Sequence, residues 1–239
     1  MTKALDLSFS AQDLTTEWCA ARIAEGYELL IVDLWTARLA IPHADRALRL
    51  WREAGGRTQA YFAVNGSRQP AFHVTKAVMA AGDEWKHLER VWVDVEVEGT
   101  LVEQIRGALA LVREAGKETG IYSAHWFWVG HLGNPTDFAD ETLWNAFYDQ
   151  DPDLDFDNLP FGGWTPDKVL MEQFQGTTNI EGIEVDLNVE FVDTGLAKLE
   201  LALVRAWKAK EALEKVVLWE YVKPIVDLVT VVKEVNSLQ

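Results

Sequence analysis

Between Glu28 and Val97 the chain reads ELLIVDL (28–34), ADRALRLWREA (44–54), TQAYFAV (58–64), FHVTKAVMAAGDEWKHL (72–88) and VWVDVEV (91–97). The first, third and fifth segments are short apolar runs, the pattern of buried strands. The two between them carry apolar residues at helical spacing, and the first of these stops at Gly55-Gly56. Strands that alternate with helices of this length predict a parallel sheet built from crossover units. Working outward, Ala4–Phe9 reads as a strand and Gln12–Glu25 as a helix closed by Gly26. Downstream, Leu101–Ala115 reads as a helix ending at Gly116, and Gly120–Ser123 opens a further strand.

The pattern then changes. Leu143–Tyr148, Val169–Gln173 and Ile183–Val189 read as three more strands, with no amphipathic helix between them. Eight strands with helices after only the first five fit a closed sheet better than an open one. No Gly-rich phosphate loop follows any strand, which removes a dinucleotide-binding fold. The expectation is an α/β protein: an irregular TIM-like (β/α)5β3 barrel over residues 1–195 with a C-terminal helical extension. Residues 196–239 are rich in Leu, Val, Ala, Lys and Glu, and Pro224 divides them into two helices, Leu196–Val222 and Pro224–Leu238. They are expected to serve oligomerisation or docking, with a homo-oligomer as the partner.

Composition narrows the function. The chain has 239 residues, 49% of them hydrophobic, with 22 Lys+Arg against 38 Asp+Glu and a net charge of −16. That apolar fraction builds a core and excludes intrinsic disorder. The acidic balance argues against nucleic acid and anionic lipid as partners. The single cysteine, Cys19, makes no intrachain disulfide. No stretch has the roughly 18 apolar residues of a membrane span, so membrane insertion is not expected. MTKALDLSFSAQDLTTEW at the N-terminus has no signal-peptide pattern. A protein without one is expected to stay cytoplasmic unless something else releases it.

In a barrel, chemistry gathers at the C-terminal ends of the strands. Four carboxylates are expected there: Asp6 in ALDLS, Asp94 and Glu96 in VWVDVEVEG, and Asp186 in IEVDLN. Asp94 and Glu96 are two apart on one strand and so share its face with Trp92, while Val91, Val93 and Val95 face the other way. Clustered acids raise the pKa of one member and give a protonated acid beside an ionised partner. Glycosidic bond cleavage needs that division.

These pieces carry a resemblance. The opening DLS (6–8), HADRALRLWREAGGRTQAYFAV (43–64), VDVE (93–96), GIYS (120–123), LWNAFY (143–148), EQFQG (172–176) and GIEVDLN (182–188) stand in the order found in one family. The chain resembles the family 25 glycoside hydrolases, the Chalaropsis-type lysozymes or muramidases, over about residues 4–191. The resemblance implies a lysozyme (N-acetylmuramidase) that cuts peptidoglycan strands at the β-1,4 bond between N-acetylmuramic acid and N-acetylglucosamine. With no signal-peptide pattern in the chain, it also implies a phage-endolysin-like setting, cytoplasmic until release and then at the bacterial cell wall; no cofactor and no metal are expected. Glu96 is implied as the general acid, Asp94 as its partner, and Asp6 and Asp186 as members that hold a water or tune Glu96. Tyr61 and Tyr122, at matching strand ends, are implied substrate contacts. The carboxylate nucleophile, assistance by the substrate acetamido group and direct water attack all stay open.

There are departures. The family's second strand commonly ends in an Arg/Lys-Ala-Thr-Glu-Gly-like element, whereas this chain has Asp33-Leu34-Trp35-Thr36-Ala37. The first strand opens Lys3-Ala4-Leu5 without the usual Gly, and Tyr61-Phe62-Ala63 stands where Tyr-His-Phe is frequent. A non-catalytic glycan-binding or structural barrel, or a glycosidase for another amino-sugar polymer, are the alternatives these changes motivate.

Eleven Trp is a high number for this length. Trp35, Trp126, Trp128, Trp144 and Trp164 fall near expected strand ends or loops, and Trp126, Trp144 and Trp164 are the expected sugar-stacking rings. Trp18, Trp51, Trp85, Trp207 and Trp219 lie on helical patterns and are expected to pack. Asp149, Asp151, Asp153, Asp155 and Asp157 alternate, but Pro152 breaks the run and the spacing of a calcium loop is not met, so a solvated acidic loop is expected. The five His show no zinc spacing.

Overall fold

A computed structural model of the chain describes residues 1–152 and 158–191. The expected helices within 196–239, Trp207 and Trp219 among them, lie outside the described residues, as do Asp153, Asp155 and Asp157 of the acidic run. Asp149 and Asp151 are exposed, and the Asp151 amide donates to Asp149 at 3.0 Å.

Eight strands close into a barrel in sequence order. They are β1 (Thr2–Leu7), β2 (Tyr27–Trp35), β3 (Arg57–Ala63), β4 (Arg90–Asp94), β5 (Glu118–Ala124), β6 (Leu143–Ala146), β7 (Val169–Ile180) and β8 (Ile183–Glu190). Helices α1 (Thr16–Ala24), α2 (Ala44–Glu53), α3 (Pro70–Ala81), α4 (Val102–Glu114) and α5 (His125–Leu132) follow the first five strands in turn. No α-helix is described between β6 and β7, or between β7 and β8. This is the (β/α)5β3 arrangement expected from the sequence.

Why these segments form these elements is visible in their two faces. On α2, Ala44, Ala47, Leu48 and Trp51 are buried at spacings of three and four, and this stripe lies against β2 and β3. On β2 the outward set Leu30, Val32 and Leu34 is buried beneath the helices, while Leu29 and Ile31 point into the barrel. On β4, Val91 and Val93 take the outward side and Trp92 the inward, and Val95 just past its end is buried as well. Each such aliphatic side chain removed from water contributes about 1.5–3 kcal/mol. Inside, Ala4, Leu29, Ile31, Trp92, Tyr122, Trp144 and Met171 form one cluster. A Cβ on Gly120 would come within 2.6 Å of Trp92, so glycine there gives the indole its room.

Three sequence expectations are corrected, and the fifth helix, which the sequence implied without placing, is located. The helix expected over Phe72–Leu88 is α3 alone, because Gly82 takes φ +53° and the chain continues as a 3-10 turn through Gly82–His87. The residues after β5 form α5, HWFWVGHL, which is apolar all round and so shows no helical stripe in the sequence. β7 runs on to Ile180, making a long hairpin with β8. β8 is antiparallel to both its neighbours, β1 and β7. Asp186 therefore enters the barrel mouth from the opening half of β8 and not from its C-terminal end.

Candidate active site

The strands bring their acids to one end. Asp6 pairs in register with Asp186 across β1 and β8, and with Ile31 across β1 and β2. Asp94 ends β4 opposite Tyr122 of β5. Glu96 lies past the end of β4, yet the Val95 amide still donates to the Tyr122 carbonyl at 3.0 Å. That bond carries the strand alternation two residues further and keeps Glu96 on the face of Asp94.

Together Asp6, Asp33, Asp94, Glu96 and Asp186 line one cavity of about 270 Å³, with Tyr61, Tyr122, Trp144 and Gln173 forming its walls and floor. A second cavity of about 170 Å³ shares Asp6, Tyr61 and Asp186 with the first and adds Ser8, Phe9, Ser10, Thr177 and Glu184. The structure thus brings together all four acids expected from the sequence, both tyrosines and Trp144.

Gln173 organises the cluster. Its Nε2 donates to Asp6 Oδ2 at 2.8 Å and to Asp186 Oδ2 at 3.0 Å. Its Oε1 accepts from the Tyr122 hydroxyl at 2.8 Å and the Tyr148 hydroxyl at 2.7 Å. One amide therefore fixes two carboxyls and two phenols. Asn188 adds a donor to Asp6 Oδ2 at 2.6 Å and accepts from the Trp144 indole at 2.8 Å. The Thr177 amide donates to the other Asp186 oxygen.

Asp33 is the acid that sequence reasoning missed. It is 5% exposed, its Oδ2 accepts from the Ser8 hydroxyl at 2.9 Å, and its Oδ1 accepts from the Trp35 amide at 2.9 Å. The signal was present, since a lone acid in the apolar run ELLIVDL, two from Ile31, has the same form as Asp6 in ALDLS. Gln173 and Tyr148 lay within quoted motifs but had no role assigned.

Burial dominates the electrostatics. It raises Glu96 to about 7, against the Ala124 amide and the Tyr122 hydroxyl, which favour the ionised form. It raises Asp33 to about 7, against the donors Ser8 and Trp35. Asp94 is pushed well above the usual carboxylate range by burial, then by the charges of Glu96 and Asp33. Asp6 is raised by burial and by Asp186. Asp186 is raised by burial, with the Thr177 amide opposing. Asp94 Oδ1 and Glu96 Oε1 are sealed from solvent and accept no hydrogen bond. Such an arrangement supplies protonated carboxyls at neutral pH beside two, Asp33 and Asp186, that have a donor on each oxygen.

The tryptophans separate differently. Trp144 lines the cavity but is 1% exposed, so it serves as floor, edge-on to Tyr61 and Tyr122. Trp164 is 0% exposed. It packs edge-on to Trp128 and Phe161 and donates to the Glu141 carbonyl at 3.0 Å, which corrects its expected role as a stacking ring. Trp35 and Trp128 are likewise buried. Trp126 is 60% exposed at the start of α5, beside Phe127 and His131, and does not line either cavity. Trp18 and Trp51 pack as expected.

No protein-family model matches the chain. A stretch of 106 residues, 41% of this chain and 22% of the relative, is 34% identical to "Probable GH family 25 lysozyme 3" of Dictyostelium discoideum. A stretch of the same length is 32% identical to "Counting factor 50" of that organism, over 34% of the relative. The chain thus spans about a fifth to a third of these relatives. Among solved structures, a muramidase from Acremonium alcalophilum matches with TM-score 0.66 and 16% identity, over 84% of this chain and 99% of that one. A family 25 glycosyl hydrolase from Bacillus anthracis matches with TM-score 0.60 and 13% identity, over 81% and 90%. These likenesses bear out the fold and the resemblance read from the motifs.

Proposed function

We propose that this chain, which resembles the family 25 glycoside hydrolases in sequence and shares their barrel, is itself a glycoside hydrolase acting on peptidoglycan. Its target is the β-1,4 bond between N-acetylmuramic acid and N-acetylglucosamine. The observation that carries this reading is the convergence of Asp6, Asp94, Glu96 and Asp186 on one cavity at one end of the barrel. The names of the relatives and neighbours, lysozyme and muramidase, support it.

Glu96 is the general acid. Burial holds its proton near neutrality, and its position at the rim, past the last pairing of β4, lets it reach a glycosidic oxygen. It protonates that oxygen as the bond to the anomeric carbon breaks. Positive charge then develops on the sugar ring, and an ionised neighbour stabilises it. Asp186, with donors on both oxygens and less deeply buried than Asp33, is the member best equipped to be that anion, and Asp94 stands beside Glu96 to tune it. Tyr61 and Tyr122 flank the sugar. Mass spectrometry of products from purified cell walls tests the reading. Fragments with muramic acid at the new reducing end support it, and glucosamine at that end, or no fragments, overturns it.

A further inference from the structure

Gln173 lies on β7, 2% exposed, in register with Ala146 of β6 and Asn188 of β8. Its neighbours allow its side-chain amide one orientation. The Trp144 indole can only donate, so Asn188 turns its oxygen to that ring and its nitrogen to Asp6 Oδ2. The Thr177 amide likewise marks Asp186 as an acceptor. Gln173 therefore sets its nitrogen against these two carboxyls, and its oxygen accepts from the hydroxyls of Tyr122 and Tyr148 at 2.8 and 2.7 Å.

A phenol has a single hydrogen, and buried Tyr122 commits it to Gln173. The same hydroxyl acts on Glu96, where its hydrogen would favour the ionised form. Glu96 Oε1 accepts no hydrogen bond, so an ionised Glu96 would depend on the Ala124 amide and that phenol hydrogen. While Gln173 holds the hydrogen, the Tyr122 oxygen offers Glu96 lone pairs alone, which suit a carboxyl that donates. The hydrogen bonds then run one way, from Glu96 to Tyr122 to Gln173. The other titratable groups acting on Glu96 or sharing its cavity are Asp94 on β4, Tyr148 after β6, and Asp6, Asp33 and Asp186 on β1, β2 and β8. Among the described residues no Lys, Arg or His lines that cavity.

We infer that Gln173 is a positioning residue for Glu96: by accepting the Tyr122 hydrogen it withholds that hydrogen from Glu96 and keeps the carboxyl in the protonated form a general acid needs. The inference rests on the hydrolase reading above and adds how its acid is kept charged with a proton. It also gives the two ends of one amide separate tasks. The nitrogen favours ionised Asp186, and the oxygen favours protonated Glu96.

The carbon-13 shift of the Glu96 carboxyl, assigned by its disappearance in Glu96→Gln, is followed against pH beside the pH profile of wall hydrolysis. The wild-type midpoint is expected at about 7. In Gln173→Leu it is expected about one pH unit lower, a tenfold change in proton affinity, with the falling limb of the rate following it. That variant also strips donors from Asp6 and Asp186, and Tyr122→Phe separates the two effects. With the phenol hydrogen gone, Gln173→Leu is expected to move the midpoint by less than about 0.3 pH unit. Gln173→Glu keeps an acceptor for both phenols and adds charge, so its midpoint is expected at or above the wild-type value, and it carries the test if the leucine variant does not fold. A midpoint in Gln173→Leu equal to or above wild type overturns the inference, as does an equal drop in the Tyr122→Phe background or any drop in Gln173→Glu. If walls are cut but the midpoint stays put in Gln173→Leu, this inference fails alone. If nothing is cut and the midpoints move as expected, the hydrolase reading fails and the hold of Gln173 on the Glu96 proton stands.

Discussion

Replacing Asp33 by Asn changes how stability depends on pH, and the size of the change follows from the site. Asp33 is almost fully buried and its pKa is raised by that burial from 3.8 to about 7. A carboxyl raised on folding binds its proton more tightly in the native state. Its stabilising contribution is complete below pH 3.8 and is lost as pH rises toward 7, above which the loss is constant. The interval corresponds to about 4 kcal/mol, at 1.36 kcal/mol per unit. Asn is close to an isostere of the protonated acid, since it keeps one acceptor and supplies donors. It has no charge to desolvate, and it relieves the repulsion that Asp33 exerts on Asp94 and Asp6. Urea unfolding of both proteins at pH 4, 5.5 and 7.5 is the assay. The variant is expected to gain about 4 kcal/mol on wild type between the lowest and highest pH. Parallel stability curves would refute the burial argument, because they would mean that Asp33 ionises as freely in the fold as in water.

Two further outcomes follow. The rate of wall hydrolysis is expected to fall as pH rises through about 7, where Glu96 loses the proton it must donate, and a rate that keeps rising to pH 9 would remove Glu96 from that role. Trp164→Ala is expected to cost about 3–5 kcal/mol of stability, read as a lower Tm, with substrate affinity unchanged at a temperature where the variant is folded, because its ring is sealed against Trp128 and Phe161.

Much of the barrel was legible in the sequence because its strands and helices have different periods. Val91, Val93 and Val95 against Trp92 and Asp94 state the two faces of β4 outright, and the carboxyl pair followed from that alternation alone. The direction of β8 was not legible, since IEVDLN reads the same in a parallel or an antiparallel partner. Asp33 was hidden in a different way. It shares the parity of Leu29 and Ile31, which sends it into the barrel, but a single acid in ELLIVDL has no neighbour in sequence that marks it as part of a cluster. Gln173 has no signal of its own, because its importance lies in partners from β1, β5 and β8 and in Tyr148, all brought together only when the barrel closes. Trp164 depended on α5, whose uniform apolarity gives no face to read, so a core residue was indistinguishable from a loop ring.

The central claim is that the acids gathered at the barrel mouth cut a glycan and that Glu96 supplies the proton. Its most direct measurement is loss of turbidity, with release of reducing ends, from purified cell walls treated with wild-type protein and with Glu96→Gln. The account predicts lysis by wild type and a loss of at least about a hundredfold in the variant, with its fold intact by circular dichroism. Equal activity of the two proteins, or equal inertness across walls of several chemistries, would contradict it.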